Sequence, residues 1–330
     1  MMNLKEEILK LKEKLDVTIV AHFYQKDEVF ELADINGDSL ELAKRAMAAK
    51  SKYILFCGVG FMGESVKVLS PEKTVVMPRI ACCAMAKMID VDYFDENLAI
   101  LNKAGIQNDD ILPITYINSS AAVKAAVGEM GGYVCTSSNA FAIIKRGLES
   151  GKKIFFVPDR CLGQNFANDI GLKSAVIGIN TIEEVKDADI ICYNGFCSVH
   201  QLFTVEDIEF YREKYPDILI AVHPECDPSI VALADFSGST SQLIKYITEL
   251  PADQKVAVGT EYNMVNRLRP NNTYVLSSTK PECPTMNETT VQDVYDTLKA
   301  IENGNIINEI KVDDKVSKYA KIALERMFEV

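Results

Sequence analysis

The chain has 330 residues, 48% hydrophobic and 25% charged, which is ordinary for a globular protein but too long for one small core, so two or three domains are expected. A net charge of −12 repels nucleic-acid phosphates at long range and excludes nucleic acid as a partner. No apolar run is long enough for a membrane span and no signal-peptide core is visible, so a cytoplasmic setting is expected, in which the nine cysteines are metal ligands, nucleophiles or buried side chains rather than disulfides.

The opening MMNLKEEILKLKEKL carries a charged amphipathic helix pattern. VTIVAHFYQ (17–25) then reads as a strand with the polar residues His22 and Tyr24 at its end. After a helix-like stretch, Ser39 in GDSLELAKRA stands at a helix start. A second strand, YILFCG (53–58), runs into GVGFMGE, whose Gly58, Gly60 and Gly63 satisfy GxGxxG. That motif follows the second strand of its unit and lacks an acidic ribose partner, so it reads as a tight turn rather than a dinucleotide site. TVVMP (74–78) leads to Cys83 in IACCAM.

The same series restarts twice, with a period of roughly 100 residues. ILPITYINSS (111–120) ends in Tyr116 and Asn118, TSSNAFAIIKRG carries Ser137 and Ser138, KIFFVP (153–158) is the second strand, and DIICYN (189–194) leads to Cys197 in NGFCSVH. ILIAVHPECD (218–227) ends in His223 and Glu225, GSTSQLIKYI carries Ser239 and Thr240, KVAVGT (255–260) follows, and TYVLSS (273–278) precedes Cys283 in PECPTM. The final VSKYAKIALERMFEV has apolar residues at helical spacing and is expected to be a packing helix without chemistry.

Val/Ile-rich strands separated by helical patterns predict parallel βαβ units, each a three-layer αβα sandwich, with boundaries at 1–100, 101–212 and 213–330. Ligands of such sheets bind beyond the carboxyl ends of the strands, where all the polar strand ends and cysteines lie, so the site is expected at the central junction. Three thiolates, one from each unit, suit a [4Fe–4S] cluster with one iron free of protein, a Lewis acid that points to an enzyme. Cys82 adjoins Cys83, and adjacent residues rarely both point at one metal. Cys57, Cys135, Cys161 and Cys192, in or beside apolar runs, read as small buried hydrophobes.

The only three histidines all fall within these motifs: His22 and His223 at equivalent strand ends, and His200 three residues after Cys197. Tyr24 and Tyr116 can donate protons or hold an oxyanion. Glu225 faces the same side as His223 if the extended strand continues, and can act as a general base or occupy an open iron. Helix-start hydroxyls serve as caps, and the free N–H groups beside them bind anions. An iron–sulfur lyase or dehydratase acting on another substrate shares this logic. A redox sensor or structural zinc protein fits less well, because no basic helix is present and structural zinc takes four ligands.

Taken together, AHFYQKDEV, GDSLELAKRA, FCGVGFMGE, CCAMA, TYINSSA, VCTSSNA, FVPDRCLGQN, GFCSVH, HPEC, GSTSQL, GTE, RLRP and CPTMNETT resemble the quinolinate synthase family, iron–sulfur enzymes of bacterial and archaeal NAD biosynthesis, over nearly the whole chain. The resemblance implies three Rossmann-like domains related by pseudo-threefold symmetry around a central site. It implies a [4Fe–4S] cluster on Cys83, Cys197 and Cys283, with Cys83 chosen over Cys82 because the ligand directly precedes AMA. The implied reaction condenses iminoaspartate with dihydroxyacetone phosphate to quinolinate, phosphate and two waters, and an iminoaspartate-producing aspartate oxidase or dehydrogenase is the implied partner. Family active-site residues map onto His22, Tyr24, Ser39, Tyr116, Asn118, Ser137, His200, His223, Glu225, Ser239 and Thr240. Of these, Tyr24 and Glu225, assisted by Tyr116 and His223, are expected to move protons, and the others to hold substrate. Asn287, where a basic residue is usual, and Cys161, where Asn or His is common, depart from the family pattern.

Overall fold

The computed structural model describes residues 4–329, so residues 1–3 of the expected N-terminal helix and Val330 at the end of the last one lie outside it. Three sheets form, and every strand pair within them is parallel. The first holds β1 (Val17–His22), β2 (Ile35–Gly37), β3 (Tyr53–Cys57) and β4 (Thr74–Val76) in the order β2-β1-β3-β4. The second holds β5 (Ile111–Tyr116), β6 (Tyr133–Cys135), β7 (Lys153–Val157), β8 (Ser174–Val176) and β9 (Ile190–Cys192) in the order β6-β5-β7-β9-β8. The third holds β10 (Leu219–Val222), β11 (Phe236–Ser237), β12 (Val256–Gly259) and β13 (Thr273–Val275) in the order β11-β10-β12-β13. Apart from the additional edge strand β8, the three orders are the same, and helices flank each sheet. The fold is therefore α/β, with three Rossmann-like αβα units.

The central strands are continuous apolar runs because both faces are covered: Ile19, Val20, Leu55, Ile114, Phe155, Ile220 and Val258 are all fully buried. The edge strands β2, β6, β8 and β11 were not anticipated. At two or three residues they are too short to show periodicity. The first strands are also shorter than read. β1 stops at His22 and β10 at Val222, after which the chain turns, with Gln25 N donating to His22 O and Cys226 N to His223 O at 3.0 Å. The extended strand that would carry Glu225 past His223 therefore does not continue, and Glu225 reaches the site from a turn.

The end of the chain packs back on the first two units. Helix Val291–Glu302 buries Val294 and Leu298 against Ile8 and Leu11 of the N-terminal helix Leu4–Leu15. Helix Asp314–Arg326 lies on helices Ala121–Glu129 and Gly60–Leu69 through Ala320, Ala323 and Leu324. Gly128 leaves no room for a Cβ beneath Tyr319 O, so the two backbones meet there. Each fully buried Leu or Ile in these contacts stabilises by about 1.5–3 kcal/mol. The glycines of GVGFMGE likewise answer to packing: a Cβ on Gly63 would stand 2.8 Å from Met77 Sδ.

Candidate active site

The turn after the first strand of each unit opens into one cavity between the three sheets. His22, Tyr116 and His223 stand at the strand ends, and Tyr24, Asn118 and Glu225 follow two residues later; all six line the cavity. Ser39, Ser137, His200 and Thr240 line it too, as do the three cysteines Cys83, Cys197 and Cys283. Ser239 does not. It is fully buried, and its Oγ accepts from Gln242 N in a capping box at the start of helix Thr240–Glu249.

Glu225 is the centre of the polar wall. Tyr116 Oη donates to its Oε1 at 2.6 Å, its Oε2 lies 3.0 Å from His200 Nδ1, and its Oε1 lies 3.8 Å from His223 Nδ1. His200 Nδ1 makes no hydrogen bond of good geometry, so its approach to Oε2 is a close polar contact. The His200 and His223 rings stack at 4.7 Å. Burial opposes the Glu225 charge, but His200, His223 and the Tyr116 hydroxyl outweigh it and hold the carboxyl below its ordinary range. Burial pushes His22 down to about 4, and His223 down to about 3 against the pull of Glu225, so both imidazoles are neutral at pH 7. Burial, reinforced by the Glu225 charge, pushes Tyr24 and Tyr116 well above the usual phenol range, which keeps both as O–H donors.

One residue behind the wall joins these groups. Thr260 Oγ1 lies 3.0 Å from Tyr24 Oη and 3.1 Å from His200 Nε2, so a hydrogen-bonded path runs from Tyr24 through Thr260 to His200, beside Glu225. Tyr24 Oη also meets Thr240 Oγ1 at 3.0 Å, and His223 Nε2 meets Ser137 Oγ at 3.3 Å. Thr260 was missed as a site residue, although it ends the quoted KVAVGT strand; its role depends on two partners far away in the chain.

The helix starts also differ from expectation. Ser39 and Thr240 are first helical residues rather than caps. The caps are Asp38, whose Oδ1 accepts from Leu40 N and Glu41 N, and Ser239. Ser137 lies in the turn before helix Ala140–Leu148. Asp38 also accepts Ser138 Oγ at 3.0 Å and Ser241 Oγ at 2.7 Å on Oδ2, so a single carboxylate joins all three units at the cavity edge. The ten-residue helices Ser39–Ala48 and Thr240–Glu249 start beside the cavity, and the first-turn N–H groups that their caps do not take, those of Ser39, Thr240 and Ser241, favour anions there.

The three cysteines are held alike. In each unit the residue opening the helix after the third strand in chain order donates its N–H to the carbonyl two residues before the cysteine: Gly60 N to Ala81 O at 2.8 Å, Arg160 N to Gly195 O at 2.9 Å and Tyr262 N to Pro281 O at 2.9 Å. Burial pushes Cys83 up to about 12 and raises Cys197 and Cys283; a Cys283 thiolate raises Cys83 further, and Cys83 and Cys283 thiolates raise Cys197. Three facing thiols are costly to ionise together unless a cationic centre compensates, so the donor set fits an iron–sulfur cluster. Cys82 is exposed, and Cys57, Cys135, Cys161 and Cys192 are buried. Cys161 Sγ accepts from Gln201 Nε2 at 3.5 Å, so this departure is absorbed by local packing. Asn287 binds Cys283 O through Nδ2 at 2.9 Å and accepts Asn263 Nδ2 at 3.1 Å. Asn263 in turn donates to Glu261 Oε1 at 2.9 Å, which also accepts Cys283 N at 3.3 Å, so an amide–carboxylate network holds both sides of the Cys283 peptide.

A family model described as Quinolinate synthetase A protein matches residues 6–329. The chain is 57% identical to a quinolinate synthase of Helicobacter pylori (strain ATCC 700392 / 26695), with 99% of this chain and 98% of that protein covered. It is 42% identical to a quinolinate synthase of Listeria monocytogenes, covering 94% of this chain and 89% of that protein, and 40% identical to one of Streptomyces coelicolor, covering 96% and 85%.

Proposed function

The chain belongs to the quinolinate synthase family, and on that premise we propose that it condenses iminoaspartate with dihydroxyacetone phosphate to quinolinate, phosphate and two waters, as a step of NAD biosynthesis in the cytoplasm. The observation that carries this reading is the convergence of one cysteine from each unit on the cavity that holds Glu225, Tyr24, Tyr116 and the three histidines. Cys83, Cys197 and Cys283 would hold a [4Fe–4S] cluster, which supplies a Lewis acid at its iron free of protein.

The remaining chemistry belongs to the chain. The enamine carbon of iminoaspartate attacks the carbon bearing phosphate, and phosphate leaves with the bonding electrons. A keto–aldo isomerisation, imine ring closure and loss of two waters follow. Glu225, the one carboxylate beside the two stacked imidazoles, takes up the protons that these steps release from carbon. Tyr24 and Tyr116, kept protonated by burial, donate to developing alkoxides and leaving waters. The Tyr24–Thr260–His200 path returns protons between donor and acceptor without opening the cavity to solvent. Neutral His22 orients substrate by hydrogen bonds, and neutral His223, beside Glu225, assists proton transfer. Ser39, Ser137, Asn118 and Thr240, with the two helix N-termini, hold carboxylates and phosphate against a net charge of −12. An iminoaspartate-producing aspartate oxidase or dehydrogenase is the proposed supplier of the unstable imine.

A second reading rests on Cys197, His200 and Glu225, whose donor atoms all lie within 4.8 Å of one another and could hold a single divalent ion. Anaerobic reconstitution separates the two. Quinolinate released from freshly generated iminoaspartate and dihydroxyacetone phosphate at about four irons per chain supports the cluster reading. One metal per chain favours the single-ion site, and a full cluster without quinolinate moves the substrate to a lyase or dehydratase.

A further inference from the structure

We propose that Arg267, Asn165 and Lys124 are positioning residues, each gripping the two backbone carbonyls that flank one cavity-lining residue and thereby fixing its aim. Arg267 Nη1 donates to Gln25 O at 3.0 Å and Nη2 to Phe23 O, on either side of Tyr24. Asn165 Nδ2 donates to Pro224 O and Cys226 O, both at 2.8 Å, on either side of Glu225. Lys124 Nζ donates to Ile117 O at 2.8 Å and to Ser119 O, on either side of Asn118. The three gripped turns occupy the same place in the three units, and none of the gripping side chains lines the cavity. Each acts only through the residue it holds.

The origin of the grips follows the repeat. Asn165 and Arg267 are each the sixth residue of the helix after the third strand of its unit, Arg160–Asp169 and Tyr262–Arg267. The second unit thus holds the turn of the third, and the third holds the turn of the first. The matching position in helix Gly60–Leu69 is Ser65, too short to reach, and its Oγ bonds back to Phe61 O at 2.7 Å. Lys124 supplies the missing grip from within the second unit, while the first unit reaches across with Glu64, whose Oε2 accepts Ala121 N at 2.8 Å. Docking of the units and the aim of Tyr24 and Glu225 are therefore one event. Asn165 is 2% exposed and Lys124 fully buried; losing Asn165 strips Pro224 O and Cys226 O of their donor, and losing Lys124 strips Ser119 O of its donor while Ile117 O keeps Ser119 N at 2.8 Å, so in each case the peptide that carries the site residue is freer to rotate.

The kinetic part of the test rests on the proposed reaction; its exchange part does not. Holoprotein is compared with Asn165→Asp, which keeps the shape but turns a donor into an acceptor facing two carbonyls, and with Arg267→Lys, which keeps the charge but ends short of both Nη positions and so weakens both bonds. A misplaced proton-transfer group should lower kcat by about hundredfold in Asn165→Asp and about tenfold in Arg267→Lys, with KM changed by less than about threefold. Iron content should match the parent. Amide exchange should accelerate at 223–227 in Asn165→Asp and at 23–27 in Arg267→Lys, and not elsewhere. If Asn165→Asp does not accumulate folded, Arg267→Lys and Lys124→Met, which has no donor and should accelerate exchange at 117–119, carry the test. A kcat within twofold of the parent, a loss of kcat that only tracks lost iron, or faster exchange spread over the whole chain overturns the proposal. If the parent makes no quinolinate, the reaction reading fails and the exchange pattern alone decides the grip.

Discussion

Tyr116 Oη donates to Glu225 Oε1 at 2.6 Å, and the two residues belong to different repeats: Tyr116 ends the first strand of the second unit, and Glu225 lies in the turn after the first strand of the third. Both are nearly fully buried, at 5% and 4% exposure, so the bond is charge-assisted and poorly screened. It sets the carboxylate that the other cavity groups face.

Replacing Glu225 by Gln keeps the shape and removes the base. Turnover should fall by about a thousandfold or more while iron content stays at the parent level. Tyr116→Phe should lose less, about ten- to hundredfold, because the carboxylate remains. Quinolinate release and iron assays on the same samples check both; near-normal activity in Glu225→Gln would remove its assigned role.

Cys197→Ala should lose the cluster, reducing iron from about four per chain to a small fraction. Cys82→Ala, at an exposed position beside Cys83, should retain it. Iron quantitation with visible absorbance after anaerobic reconstitution reads the difference, and full iron retention in Cys197→Ala would refute its place as a ligand.

Asp38 caps one helix and accepts hydroxyls from both other units, so Asp38→Ala removes a cap and two partly buried hydrogen bonds. Destabilisation of about 3 kcal/mol is expected, read as a lower midpoint in urea. Ser239→Ala should cost about 1 kcal/mol as a lost cap and leave kcat unchanged. A selective loss of kcat in Ser239→Ala would restore the substrate-binding role expected from the motif.

Glu261 is pushed up to about 7, chiefly by burial, against the pull of its backbone partners. Between the ordinary carboxyl value and about 7 the folded state holds a proton that the unfolded chain has released. The stability it contributes is therefore full below pH 4.5 and is lost as pH rises to about 7. The change is on the order of 3 kcal/mol. Urea midpoints of metal-free protein across this window should slope downward with rising pH, and Glu261→Gln should flatten the slope.

The long central strands β1, β5 and β7 were legible because a strand covered on both faces must be apolar throughout, and the recurrence of strand, hydroxyl and cysteine exposed the repeat. The edge strands β2, β6, β8 and β11 were not, because two or three residues carry no period. The site residues at strand ends were named from their place in the repeat. Thr260 and Asp38 were missed because each acts through partners in other units, and nothing local to either residue marks that.

The amino-acid order by itself determined the three α/β units, the side of each sheet on which chemistry lies, and which cysteines and histidines stand there, since these follow from apolar periodicity and local turn chemistry. Tertiary structure alone decided which of those groups meet. The Glu225–Tyr116 bond, the Asp38 junction and the grips of Arg267 and Asn165 all cross between units. The strand ends at Val222 also turned Glu225 out of the extended line its spacing implied. Contacts between residues 59 to 242 positions apart depend on how whole sheets dock, and docking is set by buried surface summed over many side chains rather than by any motif.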